Sequence, residues 1–118
     1  MNIKKNIAAF TLVEVMTVVA IIGLLAAISI PNFAQARTNA RRSTCINNLR
    51  LIDAAKEQYA LENNVDIGGA VVATDVAPYL RGNAMPTCPG SGTYTIDVVG
   101  TKPSCSLTAS PDLHVLPN

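Results

Sequence analysis

Tryptophan is absent from this chain of 118 residues, and aromatic residues of all kinds make up only 4%. Each aromatic side chain buries a large area, so a core anchored on such residues is excluded. Charge is sparse too, at 14% of residues, and nearly balanced at a formal net +1. That leaves no bulk electrostatic footprint for nucleic acid. There is no phosphate-cradling glycine loop and no nucleophile–base set, so an enzyme is not expected. The single histidine, His114, has no second histidine or cysteine at metal-ligand spacing. It reads as an exposed terminal side chain, and neither a metal nor a cofactor is expected.

What the chain has in abundance is apolar residues, and they are gathered at one end. Between Phe10 and Ile30 the only charged residue is Glu14. As a helix these 21 residues would span about 31 Å, near the hydrocarbon thickness of a bilayer. Lys4 and Lys5 precede the run, which favours a cytoplasmic N-terminus and an exported C-terminal body. A secretory signal peptide would fit a basic start and an apolar centre, but Ala26 and Ala27 make a poor cleavage site. A plain single-pass anchor displaying a small binding module also fits. Neither accounts for Glu14, because an ionised carboxylate entering lipid is costly and marks function by default.

The residues around that acid narrow the choice. Ala9-Phe10-Thr11-Leu12-Val13-Glu14 follows a short basic leader and opens an apolar helix that runs to Pro31-Asn32-Phe33. From Lys4 to about Phe33 the chain resembles the precursors of type IV pilins and type II secretion pseudopilins. The resemblance implies that a prepilin peptidase cuts between Ala9 and Phe10 and that the new Phe10 amine is methylated. Glu14 then becomes the fifth residue of the mature chain. Ala9 departs from the family's usual glycine before the cut, but alanine is the next smallest side chain. Loss of residues 1–9 removes two of the nine basic residues and none of the eight acidic ones, leaving a net charge of −1.

Cutting there creates an ammonium at a helix start that already carries about half a positive charge. Burying both among apolar helices requires an anion, and Glu14, one turn along, is the candidate assembly residue. Gly23 and Pro31 are candidates for helix flexibility: glycine weakens a helix locally, and proline removes a backbone hydrogen bond. They read equally as plain helix punctuation. The resemblance further implies polymerisation with like or related subunits, an inner-membrane precursor, and assembly into a periplasmic or extracellular filament. An assembly ATPase and a membrane platform would act indirectly.

Beyond Pro31 the helical pattern continues, with Cys45, Leu49, Ile52 and Tyr59 on one face and a stop at Asn63-Asn64. Asp66–Ala73 reads as a loop leading into a short strand at Val71-Val72. Thr74-Asp75 is expected to cap a brief helix through Tyr79-Leu80, ended by Gly82. Strands are expected over Thr93–Val99 and Ser104–Leu107, with a last short one at His114–Leu116.

Three cysteines in an exported chain allow one disulfide and one leftover thiol. Cys88 and Cys105 lie at the two ends of the expected hairpin and form the favoured pair, which would close a loop worth about 3 kcal/mol. Pairing of Cys45 with either partner stays open. The pseudopilin resemblance also raises calcium, with Asp97 and Asp112 as oxygen ligands, but two scattered aspartates assign no metal. The expected fold is α+β: a leader (1–9), a membrane-spanning and filament-core helix (10–30), its amphipathic continuation (31–64), and a small β-rich antiparallel domain (65–118).

Overall fold

The structure, a computed structural model, describes residues 9–108 and 113–117. Residues 1–8 of the leader, Lys4 and Lys5 among them, and Asp112 lie outside the described residues. The chain divides into two units, Met1–Gln35 and Ala36–Asn118. Helix α1, Leu12–Asn63, contributes to both and carries Pro31 within it.

In the first unit, every large apolar side chain from Leu12 to Phe33 is exposed. The helix is long and apolar enough to cross a membrane. Water would not tolerate that surface uncovered, since patches of this extent mark contact with lipid or protein.

In the second unit, α1 buries Cys45, Leu49, Ile52, Ala55, Lys56 and Ala60 on one stripe. The expected apolar face is present, with Tyr59 half-buried beside it. Arg41, Arg42, Arg50 and Glu57 are all exposed. The helix ends where the asparagines suggest. Asn64 adopts a left-handed φ of 52°, and the Val65 N–H donates to Ala60 O at 2.9 Å. This six-to-one bond is the closure of a Schellman motif.

The remaining elements are short. Helix α2, Ala73–Val76, leads into 3₁₀ turns at Ala77–Tyr79 and Arg81–Asn83. Its N-cap is Val72, two residues before the expected Thr74, and the Val72 N–H donates to Asp75 Oδ2 at 3.1 Å. Strands β1, Tyr94–Thr95, and β2, Ser104–Cys105, pair antiparallel with Tyr94 opposite Cys105. The architecture is therefore the α+β arrangement of a long helix and a small antiparallel sheet. The strands are shorter than the alternating pattern suggests, since Asp97 and Gly100 take φ of 59° and 88° and turn the chain out of the ladder. Val71-Val72 and His114–Leu116 form no strand. The last segment is nonetheless tied in, with the His114 N–H donating to Leu107 O at 2.9 Å.

Two apolar clusters fill this unit. One gathers Ile52, Val76, Leu80 and Val99; the other gathers Cys45, Leu49, Cys88 and Cys105. On α1, beside Ala55 of the first cluster, lies a fully buried cation. Lys56 Nζ donates to Ile96 O at 3.0 Å and to Thr101 O, and Asp53 stands 3.8 Å away. A buried ammonium is tolerated only when paired or hydrogen-bonded, and here it fastens the hairpin loop to the helix.

Candidate functional site

The first constellation lies at the start of α1. Ala9, Phe10 and Thr11 precede the helix in non-helical backbone, and all three are exposed; Phe10 is 87% exposed. Thr11 is the N-cap. Its carbonyl accepts from the Val15 N–H at 3.3 Å, and its Oγ1 accepts from the Glu14 N–H at 3.2 Å. Glu14 reaches back, with Oε2 accepting from the Thr11 N–H at 2.9 Å. This reciprocal pair is a capping box. The carboxylate is thus held at the positive end of the helix dipole, one turn from the bond that precedes Phe10. The sequence carried the signal, Thr-x-x-Glu before an apolar run, and the reading above missed it.

Gly23 and Pro31 are both exposed. A Cβ built on Gly23 would meet nothing within 4 Å, so no contact among the described residues demands glycine there. Pro31 withholds the N–H that would otherwise bond the carbonyl four residues back.

The second constellation lies in the other unit, and sequence reasoning missed its completeness. Cys45 comes from α1, Cys88 from the loop before β1, Cys105 from β2, and His114 from the C-terminal segment. All four are buried, and their ligand atoms lie within 4.8 Å of one another. Cys88 Sγ stands 3.6 Å from Cys45 Sγ, 3.7 Å from Cys105 Sγ and 3.3 Å from His114 Nδ1. The favoured Cys88–Cys105 pair is therefore adjacent, with the sulfurs unbonded; a disulfide requires about 2.05 Å. His114, expected to be exposed, has no exposed surface. Its hydrogen bond to Leu107 folds the segment inward, and Nε2 has no hydrogen-bond partner among the described residues.

The thiols are not electrostatically alike. Burial pushes Cys45 up to about 12. At Cys88 burial acts in the same direction, but it is outweighed by the backbone N–H groups of Gly90 and Gly92 and the side chains of His114 and Cys45. That thiol is lowered to about 7. Two glycines make the room: a Cβ on Gly92 would sit 2.6 Å from Cys105 Sγ and 3.2 Å from Cys88 Sγ, and one on Gly90 would sit 3.0 Å from His114 Cε1. Asp97, raised above as a calcium ligand, is exposed and no member of this cluster; Asp112 is outside the described residues.

Comparison with known proteins bears on the first constellation. Residues 4–30 match the family described as Prokaryotic N-terminal methylation motif. The chain is 44% identical over 55 residues to the type IV major pilin protein PilA of Myxococcus xanthus, covering 47% of this chain and 25% of that protein. It is 42% identical over 62 residues to the type IV wide pilus major component PilA4 of Thermus thermophilus, 51% of this chain and 46% of that protein. It is 33% identical over 61 residues to the type II secretion system core protein G of Aeromonas hydrophila, 52% of this chain and 43% of that protein. The aligned segment thus spans less than half the length of each of these relatives. No solved structure matches the chain. The resemblance to type IV pilins and type II secretion pseudopilins holds, carried by the N-terminal methylation motif.

Proposed function

We propose that this chain, similar in part to type IV pilins and type II secretion pseudopilins, is a structural subunit of a type IV pilus or a type II secretion pseudopilus. The precursor sits in the inner membrane with its N-terminus in the cytoplasm and its C-terminal domain exported. A prepilin peptidase hydrolyses the Ala9–Phe10 bond, leaving an ammonium on Phe10 that is then methylated. The mature chain polymerises with like or related subunits through α1.

The observation that carries this reading is the placement of Glu14. It is the one charge in an otherwise apolar helix start, fixed by Thr11 at the end where the Phe10 ammonium would appear. A buried ion pair adds little net stability, but losing one partner is strongly destabilising. Glu14 of one subunit facing the Phe10 amine of a neighbour therefore sets the axial register. The exposed apolar side chains from Leu12 to Phe33 supply the surface that a filament core buries. Relative to water such burial is worth on the order of tens of kcal/mol at about 25 cal/mol per Å². Relative to lipid it gains little, because lipid is equally apolar. Extraction from the membrane must be driven, which calls for an assembly ATPase and a membrane platform.

The test is intact mass with N-terminal fragmentation on protein recovered from its native membrane or from sheared filaments. A chain that begins at Phe10 and carries one extra methyl group is the expected result. A chain that still begins at Met1 would overturn the reading and leave a single-pass anchor displaying a binding module.

A further inference from the structure

The geometry points to a metal centre in the exported domain: Cys45, Cys88, Cys105 and His114 form a tetrahedral three-thiolate, one-imidazole site for Zn²⁺. In such a site, Zn–S bonds of about 2.3 Å and Zn–N bonds of about 2.0–2.1 Å place neighbouring sulfurs about 3.8 Å apart and sulfur from nitrogen about 3.5 Å. Here the Cys88 sulfur stands 3.6 and 3.7 Å from the other two and 3.3 Å from His114 Nδ1. The three edges that meet at Cys88 already match that tetrahedron, and all four ligand atoms lie within 4.8 Å of one another, so a contraction of about 1 Å at most closes the remaining edges.

The surroundings fit a bound thiophilic cation better than a disulfide. A Cys88–Cys105 bond would draw two sulfurs together and strand Cys45 and His114 as buried polar side chains without purpose. A metal uses all four. Binding converts three thiols to thiolates with release of three protons, so the filled centre carries a net charge of −1. The backbone N–H groups of Gly90 and Gly92 already turn towards the Cys88 sulfur, and donors to a ligating sulfur offset that charge. Gly92 is needed for the approach, because any Cβ there would press on both Cys88 and Cys105. With Nδ1 as the ligand, the imidazole proton resides on Nε2. Leu49, Tyr94, Leu107 and Leu116 pack around the cluster and close it to solvent. Four protein ligands with no open position make a structural centre rather than a catalytic one.

What the centre would do follows from where its ligands come from. They join α1, the loop before β1, strand β2 and the C-terminal segment, in a domain whose sheet has only two residues per strand. A unit this small needs a staple beyond its apolar core, and one ion ties all four segments. This assignment does not rest on the filament reading; it concerns the folded C-terminal unit, however the N-terminus is processed.

The test uses the full chain, purified in detergent without chelator from zinc-supplemented cells. One zinc per chain by elemental analysis is expected. Replacement by Co²⁺ should give the intense visible absorption of tetrahedral cobalt with thiolate ligands. Cys45→Ser and His114→Ala should each lower bound zinc at least tenfold, and His114→Cys should restore it. Should those variants fail to fold, the cobalt spectrum of the unaltered chain still decides. Zinc retained by both Cys45→Ser and His114→Ala would mark an adventitious ion only and overturn the proposal. So would native protein lighter by two hydrogens with Cys88 and Cys105 cross-linked and no metal, or a reduced chain that gives no cobalt spectrum.

Discussion

Thr11 and Glu14 cap the same helix end reciprocally. The Thr11 N–H donates to Glu14 Oε2 at 2.9 Å, and the Glu14 N–H donates to Thr11 Oγ1 at 3.2 Å. The acid that stands alone in the apolar run therefore has a local task before any partner arrives. The bond to Thr11 occupies one carboxylate oxygen, and the other is left to face a second donor. Capping and intersubunit charge pairing are compatible, and the two contributions can be separated by substitution.

Glu14→Gln keeps a capping-box side chain but removes the charge. The chain should insert and fold as before, with helix content unchanged. Filament yield relative to the membrane pool should drop more than 100-fold, because an unpaired buried ammonium costs about 3–5 kcal/mol. Thr11→Ala should do the opposite, weakening the helix start by about 1 kcal/mol while sparing most of the filament. Circular dichroism and the yield of sheared filaments read the two effects. Normal filaments from Glu14→Gln would reduce Glu14 to a cap.

Lys56→Met should destabilise the C-terminal unit by about 2–4 kcal/mol, although the volumes are similar. The loss leaves the part-buried Ile96 and Thr101 carbonyls without their lysine donor, and a polar group left unsatisfied away from water costs about 1–3 kcal/mol. The damage should be local to the hairpin loop. The Gly68 N–H, bonded to Val99 O, and the Val99 N–H, bonded to Gly69 O, should exchange with solvent faster than in the parent chain. Denaturant melts and amide exchange check both statements.

Much of this was legible in the sequence because it is written in local patterns. The apolar run, the stripe of Cys45, Leu49 and Ile52, and the asparagine stop all follow from spacing and backbone preference. Lys56 escaped because it occupies an apolar position of the stripe, and only the carbonyls folded over it make a cation tolerable there. The strands came out shorter because Asp97, which is not a glycine, takes a left-handed φ that no alternation pattern announces. The cysteine–histidine cluster was invisible for a different reason. Its partners are separated by 43 residues between Cys45 and Cys88 and 17 between Cys88 and Cys105, far from the short ligand pairs that mark a zinc site in sequence. Only the turn at Gly90 and Gly92 and the return of the C-terminal segment bring them together.

Gly92→Ala should disturb the cysteine cluster without touching a ligand. The added methyl lies 2.6 Å from Cys105 Sγ and 3.2 Å from Cys88 Sγ, so the hairpin must shift. Overpacking of this kind costs about 1–3 kcal/mol. Denaturant unfolding should register the loss, and alkylation of the cysteines in the unheated protein should quicken.

Gly23→Ala offers the opposite test, because the lone chain has no reason to resist it. An added Cβ meets nothing within 4 Å, and alanine favours a helix over glycine by about 1 kcal/mol. The monomer in detergent should therefore be as helical as the parent, or more so, and melt no earlier. A glycine in an apolar helix also permits close approach of a neighbouring helix, and its weakness lets the helix loosen as it leaves lipid. Either use belongs to the assembled state. Filament yield should fall several-fold while insertion and processing are unchanged, and a second substitution, Pro31→Ala, separates the two uses. If loosening matters, the pair should be worse than either alone, since both breaks in the helix are gone. If close packing matters, Pro31→Ala should add little to Gly23→Ala. Quantifying sheared filaments from the three variants at equal membrane levels reads the difference.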